Sequence, residues 1–187
     1  MDAFWGEVKY VLEALVIKAI GQDRDGMDLK FTSGDVAVQG GKTWRDFRSA
    51  MNDPKFRPIS GFRTTITEVL GNTLANHIRY CKRYGQDAKN LTLLVLTDGI
   101  WAGEGNTADV EVRIIDFIET LVRTIGNLQH RPVGIQFIQF GKDARATQRL
   151  GRLDRELVFK KPGIPLVTLR TEFLVSVVLT ASTQGHR

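Results

Sequence analysis

The chain has 187 residues, with 42% hydrophobic and 25% charged residues, 18 Gly and 5 Pro. This suits one compact domain spanning residues 1–187, and it excludes a disordered tail and a collagen-like repeat. The 26 Lys and Arg against 21 Asp and Glu leave a net charge of +5, which favours acidic partners without specifying one. A lone cysteine, Cys81, excludes an internal disulfide and reads as a small core residue in a reducing compartment. No run reaches the roughly 18–20 apolar residues that a membrane-spanning helix needs. Met1 to Glu7 carries no basic region or cleavage site of a secretory signal, so a cytoplasmic setting is expected.

In chain order, Trp5, Val8, Leu12, Leu15, Val16 and Ala19 recur at three- and four-residue spacings and predict an amphipathic helix closing at Gly21. Met27 to Phe31 alternates as a half-buried strand, and a second short strand follows at Val36 to Val38. Thr43 can cap a helix presenting Trp44, Phe47 and Met51, and the stretch from Asn52 to Ser60 reads as a loop. A long helix from Thr65 turns Ile66, Val69, Leu70, Leu74, His77, Ile78 and Cys81 inward. Leu91 to Leu96 is an almost continuous aliphatic run, as a strand covered on both faces requires. Asp109 can cap a helix containing Val112, Ile115, Phe117, Ile118, Leu121, Val122 and Ile125. Pro132 to Phe140 reads as another buried strand, and Asp143 caps a helix through Leu150, Leu153 and Leu157. A short strand near Leu166 to Leu169 and a closing helix from Thr171 to Thr180 complete the series.

Alternation of strands and helices predicts an α/β domain with a mainly parallel sheet and helices on both faces, where ligands bind beyond the carboxyl ends of the strands. The loops after Phe31, Leu96 and Phe140 are therefore the ones to inspect. Thr97-Asp98-Gly99 delivers a carboxylate from the end of the central strand, which suits either a hard divalent cation or an ordinary turn. Gly61 to Thr67 offers hydroxyls that cap the next helix or coordinate a cation. Gly103 to Ala108 fits a relaxed GxGxxA pattern but lies several residues beyond Leu96, so a nucleotide-binding enzyme is a weaker alternative. The clusters Arg79, Lys82, Arg83, Lys89 and Arg152, Arg155, Lys160, Lys161 lack interleaved aromatics, which favours solvated faces over a nucleic-acid module. His77 reads as a partly buried, satisfied histidine.

The order of these pieces resembles the von Willebrand factor type A (vWA) domain, a Rossmann-like fold, and especially its stand-alone intracellular fungal form. The resemblance rests on Trp5 to Val8, Asp25 to Phe31, Gly61 to Leu74, Leu91 to Gly99, Gly134 to Gly141 and Leu150 to Asp154. It implies a non-enzymatic domain that binds a protein partner, through an acidic side chain of that partner, at a metal-ion-dependent adhesion site holding Mg²⁺. Asp98 matches the aspartate of that site, and Thr64 or Thr65 its threonine. Gly99, Trp101 and Glu104 would form the partner-binding loop, with Trp101 either an interface anchor or folded onto the loop.

The DxSxS motif of such a site is absent, and Met1 to Val8 matches what directly follows it in similar proteins. The expectation is an N-terminally shortened domain lacking its first, central strand. Asp98 and one threonine cannot replace the full ligand set, so tight Mg²⁺ binding is not expected. The strands at Met27 to Phe31 and Leu91 to Leu96 are then expected either to close the gap by pairing directly or to leave a poorly stable sheet.

Overall fold

A computed structural model describes residues 2–20, 25–32, 36–56, 66–101, 107–125, 133–156 and 173–179. The expected strand at Leu166 to Leu169 lies outside them. The helices are α1 (Trp5–Ala19), α2 (Trp44–Asn52), α3 (Ile66–Tyr84), α4 (Thr107–Ile125) and α5 (Ala144–Glu156). The strands are β1 (Met27–Phe31), β2 (Val36–Gly41), β3 (Asn90–Thr97), β4 (Val133–Gln139) and β5 (Phe173–Leu179), arranged β2-β1-β5-β3-β4. Only β2 runs antiparallel to its neighbour, so the sheet is mainly parallel, in a mixed α/β domain.

At the centre of the sheet the closing helix expected over Thr171 to Thr180 is overturned: its described residues, Phe173–Leu179, form a strand. Phe-Leu-Val-Ser-Val-Val-Leu is rich in β-branched and aromatic residues, whose restricted χ1 freedom favours extended backbone. The strands β1 and β3 also do not pair directly with each other. Between them lies β5, parallel to both, with Asn90 to Leu96 opposite Phe173 to Leu179 and Asp28 to Phe31 opposite Ser176 to Leu179.

Helices cover both faces. On one, Trp5, Val8, Leu12 and Val16 of α1 and Phe47, Ala50 and Met51 of α2 pack on Met27, Leu29, Phe31, Leu96 and Phe140. On the other, Ile66, Val69, Leu70, Leu74 and Cys81 of α3 join Leu91, Leu93, Val95 and buried side chains of α4. The alternation of β3 thus feeds both cores, as its almost continuous aliphatic sequence requires.

The inward face of α4 consists of Val110, Ile114, Phe117, Ile118 and Leu121, whereas Val112 is 50% exposed. The helix begins at Thr107, ahead of the capping candidate Asp109. Likewise β4 is an edge strand with Gly134 and Gln136 exposed, not a buried one. No described helix is long and apolar enough to cross a membrane.

Local chemistry sets the helix ends. The Asp46 carboxylate accepts hydrogen bonds from the backbone N–H groups of Lys42 (3.1 Å) and Thr43 (3.0 Å), closing the start of α2. These bonds, that of Thr43 first, hold its carboxyl below the ordinary value of 3.8. Asp143 does the same for α5, accepting from the Ala146 N–H at 2.8 Å. In α3 the Cys81 thiol lies 3.4 Å from His77 Nε2, and burial pushes its pKa up. That makes Cys81 a packing residue and not a nucleophile.

Leu70 is fully buried, so Leu70→Ala should cost about 2–5 kcal/mol in urea unfolding. Tyr10→Ala, at a position 75% exposed, should stay within about 0.5 kcal/mol of the parent. Because the folded state lowers the Asp46 pKa, its contribution is present above the unfolded value and lost as pH falls below it. Asp46→Asn should therefore flatten the loss of stability below about pH 4, measured as urea midpoints against pH.

Candidate functional site

Parallel strands direct their carboxyl ends to one edge, where β1 stops at Phe31, β5 at Leu179, β3 at Thr97 and β4 at Gln139. The chain leaves β3 in one direction, through α4 to β4, while β1 and β5 lie on its other side, which makes this edge the switch point of the sheet. The start of α1 is at the same edge. Trp5 lies 6.1 Å from the Phe31 ring, and Phe4 covers Gly141, where an added Cβ would come within 2.7 Å of the Phe4 ring.

At the end of β3 three consecutive residues set the geometry. Thr97 is fully buried, and its Oγ1 accepts hydrogen bonds from the Gly99 N–H (2.9 Å) and from Trp101 Nε1–H (3.1 Å). Asp98 is 4% exposed, and its Oδ1 accepts from the Ile100 N–H at 3.1 Å. Gly99 has φ 73°, and a Cβ there would lie 2.6 Å from the Ala146 Cβ of α5. The close approach and the left-handed backbone both demand glycine.

Trp101 is folded inward and 7% exposed, with its ring 6.3 Å from that of Phe137. Of the two expected placements it takes the one on its own loop, so it is not an exposed interface anchor. Arg149 of α5 covers it, with the guanidinium 5.2 Å from the indole, and donates from Nη1 to the Gly99 carbonyl at 2.8 Å. The Phe140 N–H donates to the Thr97 carbonyl at 2.8 Å, tying in the loop after β4.

Thr64, Thr65 and Glu104 lie outside the described residues, as do residues 103–106 of the GxGxxA stretch. Among the described residues no group of three or more His, Cys, Asp or Glu side chains lies together. The described donors do not fit a Mg²⁺ cage. Asp98 is the carboxylate that β3 delivers to the edge, and the Thr97 hydroxyl already accepts two protein hydrogen bonds, whereas Mg²⁺ requires a near-octahedral oxygen shell.

Sequence reasoning found Asp98 and Gly99 but missed the Thr97 hydroxyl and Arg149. A hydroxyl preceding a turn aspartate was a usable signal, since such side chains commonly bond the backbone two residues on. Nothing in the sequence couples Arg149 to a carbonyl fifty positions earlier.

The basic clusters also separate. Arg79, Lys82 and Arg83 are exposed on α3, while Lys89 forms an ion pair with Asp25 at the start of β1. That pairing, with its hydrogen bond first and the lysine charge second, holds the Asp25 carboxyl below 3.8. Arg152 is exposed on α5, and the side chains of Arg155, Lys160 and Lys161 lie outside the described residues.

Gly99→Ala should lower stability by about 1–3 kcal/mol through backbone strain, and more if Ala146 cannot move away. An unchanged urea midpoint would contradict this geometry.

No protein-family model matches this chain, and neither a curated protein nor a solved structure matches it.

Proposed function

We propose that the chain is a non-enzymatic protein-interaction domain of the vWA type, working inside the cell, whose metal-ion-dependent adhesion site is incomplete. The observation that carries this reading is the position of Asp98, held by the Ile100 N–H at the carboxyl end of a central strand and at the switch point of a mainly parallel sheet. In the vWA arrangement the first strand lies between the counterparts of β1 and β3, whereas here the last described strand, β5, lies there, so the sheet order departs from that arrangement.

The contact chemistry at this edge follows from its charges. Lys142 and Arg145 are exposed at the start of α5, next to the loop that Arg149 fastens, and suit an acidic side chain of a partner protein. With the described donors unfit for a Mg²⁺ cage, these cations take over the attraction that a bridging cation would supply.

The test is affinity capture from an extract of the source cells with the parent chain and with the double variant Lys142→Glu and Arg145→Glu, each with and without EDTA. A protein retained by the parent, lost with the double variant and insensitive to EDTA is the expected result. Equal capture by both chains, or saturable nucleotide binding by the parent, would overturn it.

A further inference from the structure

The central strand β5 is far in sequence from the element before it and is paired with a neighbour on each side. Residues 157–172 separate β5 from α5, yet β5 pairs along its whole length with β3 and over four positions with β1. The core on the α1 face spans the position it fills. Trp5, Val8, Leu12 and Val16 of α1 belong to one cluster with Met27, Leu29 and Phe31 on one side of β5 and with Leu96 on the other. One cluster thus joins residues from both walls to the same helix.

We propose that the channel between β1 and β3 is a strand-acceptor site whose ligand is an extended, uncharged, β-branched segment lying parallel to both walls. The segment it takes is that of β5, Phe-Leu-Val-Ser-Val-Val-Leu, recognised as a peptide and not through its covalent continuity with α5. Main-chain pairing on two sides supplies the affinity, as in other strand-addition modes, and the absence of charge matches the helix-covered faces above and below. Cutting the connection converts an intramolecular ligand into a bimolecular one and leaves every residue of the β5 ladders in place.

The test uses the full chain with a protease recognition sequence replacing residues 162–167, cleaved after folding. The fragment carrying β5 is expected to co-elute with the remainder in gel filtration. A labelled synthetic peptide of residues 171–182, added in excess as the cleaved protein refolds from urea, is expected to bind saturably. A peptide with Val177→Pro, which removes a ladder N–H opposite Leu29 and Leu94, should bind at least about tenfold more weakly. The uncut parent, its channel filled, should not take up the labelled peptide.

Should the inserted sequence prevent folding, co-expression of residues 1–165 and 166–187 as two chains asks the same question, and recovery of a complex is the expected result. Release of the fragment after cleavage, failure of the two chains to associate, or equal binding of the Val177→Pro peptide would overturn the proposal.

Discussion

A strand inside a parallel sheet must satisfy its backbone groups on both sides, and here that requirement falls on β5. The segment Asn90 to Leu96 has β5 on one side and β4 on the other, and β1 lies between β5 and β2. Each buried backbone donor or acceptor left without a partner costs about 1–3 kcal/mol, against a whole folding margin of about 5–15 kcal/mol. Closure of the sheet therefore depends on seven residues far in sequence from the strands that they join. The helices on the two faces add apolar burial, but they do so on a surface whose continuity β5 provides.

The carboxyl edge depends on that closure in turn. Asp98 sits where it does because β3 is buried on both faces and flanked on both edges, and because Thr97, Arg149 and the Gly99 backbone fasten the turn that follows. The bulk of Trp101 goes into this fastening. Its indole packs near Phe137 and under the Arg149 guanidinium, which withdraws it from the surface of this edge.

Local patterns were the legible part of the sequence. The α1 spacing, the Thr43 and Asp143 caps, the buried face of α3 and the two-faced apolarity of β3 all follow from side chains within a few turns of one another. The start of α4 lies at Thr107, before the capping candidate Asp109. The last segment was misread as a helix because a short apolar run carries no period of its own. What makes it a strand is pairing with Asn90 to Leu96 and Asp28 to Phe31, partners that no local window contains. At the site the same division holds, since Asp98 and Gly99 announce themselves whereas Arg149 acts across a distance that only the fold supplies.

The order of elements along the chain also has a consequence for biosynthesis. During synthesis β1, β2, β3 and β4 all emerge before β5, yet the strand that joins the two halves of the sheet is made after them. Until Leu179 has left the ribosome, β1 and β3 present facing edges that any other extended chain can occupy. Folding is thus postponed until β5 has been made and is limited by long-range closure, the regime in which parallel sheets fold slowly. The interval between the making of β3 and the arrival of β5 is when a nascent chain of this design most needs a chaperone.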